Sequence, residues 1–260
     1  MLDIHCHIIP SVDDGADSLE TSFNMLKIAE KHSTKIIIAT PHFWRGHYEN
    51  SYLDVVEKVK NLNEKIIENK MNIKILPGQE IFLDNKTNKL YKEGVVNCLN
   101  GGKYMLIELP MMDMPKSALD NIYELRIKGI IPILAHPERY KYIVEKPSNI
   151  NQFIREGCLI QINTGSIKGI FGKKIKKTAE ILIEHGICNF IASDAHTIGN
   201  RCPGLLSSLE KVKSINKEVY LNFKDNCNML LENKIINTDF EEIKEKKSIF
   251  SLLFKKKWSE

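Results

Sequence analysis

Seven short apolar runs, each about one strand long, recur along the chain with room for a helix between most of them. They are Leu2–Cys6, Lys35–Thr40, Ile73–Pro77, Tyr104–Leu109, Ile131–Ala135, Leu159–Asn163 and Asn189–Ser193, all rich in Ile, Val and Leu. Ser18 to His32 carries Leu19, Phe23, Leu26 and Ala29 on one stripe, with Asp17 or Ser18 as its cap. Ser51–Asn69, Lys116–Lys128, Ser148–Glu156 and Lys173–His185 read as helices in the same way. Gly129, Gly157 and Gly186 follow three of them, where helix ends favour glycine. Such alternation requires a parallel sheet, either closed as a TIM-like barrel or open and doubly wound. No GxGxxG follows a strand and no GxxxxGK[ST] occurs, so nucleotide-binding forms lose support. After about residue 204 the pattern is mainly helical. One domain over residues 1–245 is expected, followed by a basic, aromatic tail at 246–260.

Apolar residues make up 43% of the 260, enough for a core that excludes a disordered chain. A net charge of +4, partly from the Lys-rich end, is too small to argue for nucleic acid. The tail reads as a solvated or loosely docked segment, with membrane-surface contact as the alternative. No basic leader precedes a long apolar run, and no stretch of about 18 apolar residues exists to span a membrane. The six cysteines form no CxxC pair, so they read as buried small hydrophobes in a reduced, cytoplasmic setting.

Metal-ligand side chains collect at the strand ends. His5 and His7 end the first run, His42 follows the second and Glu80 the third. Glu108 ends the fourth, His136 follows the fifth, and Asp194 and His196 follow the seventh. In parallel α/β folds these ends share one face, so residues distant in sequence converge there. Residues i and i+2 of a strand point the same way, so His5 and His7 point together. A carboxylate within an apolar run, such as Glu108, is unfavourable unless paired or metal-bound. His32 and His185 lie near helix C-termini, where a positive ring is favourable without a metal. His47, in a loop, stays ambiguous.

The strings "DIHCHIIPSVDDGA", "ATPHF", "LPGQEI", "HPERY", "INTGSIKGIFG" and "SDAH" resemble the polymerase-and-histidinol-phosphatase (PHP) family of metal-dependent phosphoesterases. Within it they are closest to bacterial tyrosine-protein phosphatases of the CpsB/CapC type. The resemblance spans about residues 1–205 and implies a distorted TIM-like (β/α)7 barrel, the PHP fold, with up to three divalent metals. Carried over by motif, His5, His7, Glu80 and Asp194 would hold one metal. Glu80 would bridge to a second with Glu108 and His136. Asp14, His42 and His196 would hold the third, with Asp13 as the competitor of Asp14. Arg139 and Arg201 match the group's phosphate-binding arginines. Phe43 departs from relatives that carry a second histidine there, and Phe43 or Trp44 could stack on a substrate ring.

Imidazole and carboxylate ligands without cysteine suit manganese first, with iron, zinc, magnesium or cobalt as alternatives. Such a cluster gives hydroxide at neutral pH and stabilises charge as a P–O bond breaks. Three divalent ions, four carboxylates, a hydroxide and two arginines leave a positive site that suits a phosphomonoester dianion. No cysteine has an arginine six residues later, which removes the C-x5-R thiolate route, and GxSxG is absent. The expectation is a metal-dependent protein-tyrosine phosphatase. By resemblance it acts on the tail of a bacterial tyrosine kinase that controls capsular or exopolysaccharide synthesis. A histidinol phosphatase or other small-molecule phosphomonoesterase is the alternative. No nucleic-acid partner is expected, and an oligomer is allowed.

Overall fold

The apolar runs become strands with both faces covered. β1 (Leu2–Cys6) is buried at all five of its positions, as parallel strands under helices require. A computed structural model describes residues 1–237 and 240–244; the expected tail at 246–260 lies outside them. The other strands are β2 (Ile36–Ala39), β3 (His42–Trp44), β4 (Tyr48–Glu49), β5 (Lys74–Pro77), β6 (Glu80–Phe82), β7 (Tyr104–Glu108), β8 (Ile131–Ala135), β9 (Leu159–Asn163) and β10 (Phe190–Ala192).

Two of the expected strands are followed, across a break, by a second short strand that was not expected. The first break, at Thr40–Pro41, separates β2 from β3; Pro41 has no N–H for a ladder. The second, at Gly78–Gln79, separates β5 from β6. The breaks divide the sheet into two ladders, β1-β2-β5 and β10-β9-β8-β7-β6-β3-β4. All pairs are parallel except the β3–β4 hairpin. The two ladders meet again beyond β10, where Asp194 N donates to His5 O at 2.9 Å and His7 N to Ala195 O at 2.9 Å. The strands therefore run round a ring, and its distortion sits at the two breaks and this short closure.

The helices are α1 (Leu19–Lys31), α2 (Tyr52–Glu68), α3 (Thr87–Lys92), α4 (Ala118–Arg126), α5 (Lys141–Glu145), α6 (Asn151–Arg155), α7 (Thr164–Lys168), α8 (Lys173–Glu184), α9 (Leu206–Ile215) and α10 (Lys217–Leu231). Ser18, rather than Asp17, caps α1, accepting from Thr21 N at 3.1 Å. His32 and His185 are the C-cap residues of α1 and α8. Gly129, Gly157 and Gly186 adopt positive φ past α4, α6 and α8. The short α3, α5 and α7 were not expected, because five or six residues are too few to show a period. Five cysteines are buried, Cys202 is partly exposed, and all six are free. Among the described residues no helix is long and apolar enough to cross a membrane.

Candidate metal centre

The eight strand-end donors converge, joined by Asp14 from the loop after β1. His5 Nε2 and His7 Nε2 lie 3.1 Å apart, as their i, i+2 spacing on β1 requires. Glu80 is the hub. Its Oε2 lies 3.1 Å from His5 Nε2, 3.2 Å from His7 Nε2 and 3.1 Å from His42 Nδ1. Its Oε1 lies 2.9 Å from His136 Nε2, and Glu108 Oε1 is 3.7 Å from that same nitrogen. Asp194 Oδ1 faces His5, His7 and His196, each at 3.5 Å. Asp14 Oδ1 lies 3.4 Å from His42 Nε2 and 3.3 Å from His196 Nε2.

Three overlapping groups could each hold a cation: His7, Asp14, His42 and His196; His5, His7 and Glu80; and His42, Glu80 and Glu108. His136 and Asp194 border them. His7 belongs to two groups, whereas the resemblance assigns it to one metal. Two of the converging donors occupy strained backbone, His136 at φ 35° and Asp194 at φ 48°. Non-glycine residues hold such angles only where the surroundings impose them, which is common at functional sites.

The donor set fits cations. Among the described residues Glu80 Oε2 and His42 Nδ1 are buried and make no hydrogen bond, although they lie 3.1 Å apart. They crowd a common point rather than pairing with each other. Burial, then the charges of Glu80 and Asp194, pushes the Glu108 carboxyl well above its ordinary range. Glu108 thus finds too little positive charge among the side chains around it. Burial, then Arg139, lowers His136 to about 4, so its ring is neutral at pH 7 with a lone pair to offer.

A second layer orients the imidazoles. His7 Nδ1 donates to Asp13 Oδ2 at 2.7 Å, and His196 Nδ1 to the Asp194 carbonyl at 3.0 Å. His5 Nδ1 bonds Gln161 Oε1 at 2.9 Å. Gln161 Nε2 donates to Asn163 Oδ1 at 2.7 Å, and Asn163 Nδ2 to Asp194 Oδ2 at 2.6 Å. That relay ends on a carboxylate, which only accepts, so the amide orientations follow back to a proton on His5 Nδ1. Nε2 is therefore the nitrogen that His5, His7 and His196 can each offer a metal.

The loop after β1 separates the two aspartates. Asp14 turns its carboxylate into the donor cluster. Asp13 stands behind it, bonding His7 and accepting from His42 N at 3.0 Å and Gly15 N at 2.9 Å. Gly15 is needed there, because a Cβ would lie 2.3 Å from His7 O. Arg139 Nη1 and Arg201 Nη2 both reach Asp194 Oδ2, at 3.1 and 2.9 Å. Phe43 is only 4% exposed and cannot receive a substrate ring. Trp44 stacks on Phe82 and on His47, at 4.7 and 3.9 Å.

Sequence reasoning missed Gln161 and Asn163. Their run, "LIQIN", held no histidine or carboxylate and was the one strand end left without a role. Its signal was two amides, i and i+2, inside a buried strand, where each must find a partner. Asp13 appeared only as a competitor ligand, not as the residue that orients one.

This is a mixed α/β, TIM-like fold with a cluster of histidines and carboxylates at its strand ends, a construction suited to a metal-dependent hydrolase. The family model described as "Capsular polysaccharide synthesis, CpsB/CapC" matches residues 1–232, and the chain belongs to that family. It is 37% identical to the tyrosine-protein phosphatase YwqE of Bacillus subtilis over 237 residues, 91% of this chain and 93% of the relative. It is 32% identical to the tyrosine-protein phosphatase CpsB of Streptococcus agalactiae over 250 residues, 91% of this chain and all of the relative. A solved structure described as "YwqE from Bacillus subtilis and CpsB from Streptococcus pneumoniae, unique metal-dependent tyrosine phosphatases" superposes with a TM-score of 0.90. It is 36% identical, and the match covers 94% of this chain and 100% of that one. Histidinol phosphate phosphatase from Lactococcus lactis matches with a TM-score of 0.55 at 15% identity over 84% of this chain and 93% of that one, a likeness of fold alone.

Proposed function

We propose that this chain is a metal-dependent protein-tyrosine phosphatase whose residues 1–245 form one catalytic domain. The observation that carries the reading is the convergence of nine metal-type donors beside two arginines, in a chain of the CpsB/CapC family. His5, His7, Asp14, His42, Glu80, Glu108, His136, Asp194 and His196 would hold up to three divalent ions, manganese foremost. Ions held there would supply an acidified water as nucleophile and Lewis acidity for the phosphoryl oxygens. Arg139 and Arg201 reach the centre from one side through Asp194 Oδ2 and carry N–H donors suited to two phosphoryl oxygens. His5, His7 and His196 keep their protons on Nδ1, bonded to Gln161, Asp13 and the Asp194 carbonyl. Thiolate chemistry has no candidate among the buried cysteines: burial pushes Cys98 and Cys158 up to about 12.

The substrate class is drawn from the relatives, which are named tyrosine-protein phosphatases, and from the family's link to capsular polysaccharide synthesis. A phosphotyrosine-bearing tail of a bacterial kinase, met in the cytoplasm, is the partner we infer. The test compares phosphotyrosine peptide, phosphoserine peptide and histidinol phosphate at equal enzyme and metal, alongside metal analysis. Chelator-sensitive hydrolysis should be fastest on phosphotyrosine. Faster turnover of histidinol phosphate would move the chain to the small-molecule phosphatases. Activity indifferent to chelator would remove the metal from the reading.

A further inference from the structure

The segment Thr164–Gly172 supplies none of the nine donors, yet it presses one ring against both arginines. Arg139 Cζ lies 4.6 Å from the centroid of Phe171, and Arg201 Cζ lies 6.0 Å from it. The same two guanidiniums share Asp194 Oδ2. Two like charges therefore converge on one carboxylate oxygen with a single aromatic face against them. That face is the negative side of the ring quadrupole and attracts both. The local chain is shaped to allow it. Ile170 N bonds back to Gly165 O at 2.9 Å, which returns Phe171 over α7. A Cβ at Gly165 would lie 2.8 Å from Phe171 Cε2, so only glycine leaves the ring its place. Among the described residues Arg201 Nε is buried with no hydrogen-bond partner, a donor left unused.

We propose that Phe171 is a positioning residue for the phosphate pocket. Two guanidiniums that share one carboxylate oxygen can swivel about it. A ring stacked against them fixes their planes, so the N–H donors not used on Asp194 project together towards a tetrahedral oxyanion. The inference rests on the reading of Arg139 and Arg201 as the phosphate-binding groups.

The test is calorimetric titration of inorganic phosphate into the full-length, metal-loaded protein. Phe171→Leu keeps an apolar side chain and removes the ring; it should weaken phosphate binding about fivefold, while Phe171→Tyr should stay within about twofold of wild type. Metal content should not change in either. With phosphotyrosine peptide, Phe171→Leu should raise KM and leave kcat nearly unaltered, the mark of lost binding shared by ground and transition states. Gly165→Ala should weaken phosphate binding in the same direction and add nothing in the Phe171→Leu background. Unchanged phosphate affinity in Phe171→Leu overturns the proposal. So does an equal loss in Phe171→Tyr, which would make the ring mere packing, or a loss of metal from either variant. Phosphate binding needs no turnover. A wild-type protein inactive on phosphotyrosine would thus defeat the functional reading and leave the role of Phe171 still measurable.

Discussion

The loop after β1 and the segment that runs from β9 through α7 build the same site by opposite means. The first, His5–Gly15, sends three donors into it: His5, His7 and Asp14. The second, Gln161–Phe171, sends none. It contributes the amides that orient His5 and Asp194 and the ring that faces both arginines. Each region has one glycine that lets its loop pack close, Gly15 against His7 and Gly165 against Phe171. The difference teaches that β1 and its loop supply donors together with the carboxylate that orients one of them, Asp13, whereas β9 and α7 supply orientation alone, so removing either should disable the site in a distinguishable way.

The largest effect is expected from His7→Ala, in the first region. His7 Nε2 belongs to two of the three cation groups, so its loss should lower kcat/KM by about a thousandfold or more. Bound metal, measured by mass spectrometry on the folded variant, should fall with it. A variant with a full complement of metal would show that His7 is not a ligand. Next comes Asp13→Asn, which keeps the shape but offers His7 Nδ1 an amide in place of a carboxylate. Outer-layer changes of this kind cost about 10- to 100-fold in metal affinity or activity. Gln161→Leu is the matching change in the second region, and about tenfold is expected, because a neutral amide holds its histidine less firmly than a carboxylate does. Metal titration of the two variants side by side tests the comparison. If Gln161→Leu binds metal as wild type does, β9 serves packing only and the two regions are not partners.

The same contrast explains what could be read without coordinates. Histidines and carboxylates at the ends of apolar runs are rare enough to stand out, and those eight meet with Asp14 in one cluster. The parallel fold was legible for a similar reason, since β1, β8 and β9 keep the bounds their apolar runs suggested. Glutamine and asparagine carry no such mark, because amides occur throughout surfaces and turns. Gln161 and Asn163 stood out only by lying in a strand buried at every position. The breaks at Pro41 and Gly78 were hidden because His42–Trp44 and Glu80–Phe82 are too short to show a period of two. The choice between Asp13 and Asp14 depended on how one loop turns, which neighbouring identical residues cannot encode.

The smallest effect on activity is expected from a buried carboxyl behind β9, and it sharpens the contrast by its sign. Asp13 is burdened by burial, but His7 outweighs this and holds its carboxyl below the ordinary range; it is an ionised partner. Glu138 is fully buried, its Oε1 accepting from Asn163 N at 3.0 Å. Burial raises its carboxyl from 4.5 to about 7. The folded chain therefore keeps a proton there that the unfolded chain gives up. This contribution is favourable below 4.5, declines as pH rises to about 7 and is fully lost above it. The span corresponds to about 3 kcal/mol as an upper bound. Glu138→Gln keeps an oxygen for Asn163 N and removes the ionisation. Urea unfolding of both proteins across this range should show the variant gaining on wild type as pH rises, with no gain at the acid end. Activity should change by no more than about twofold, since the Asn163 contact survives. A difference in stability that stays flat with pH would mean that Glu138 is ionised in the fold after all. The support behind β9 would then be charged, as it is behind β1.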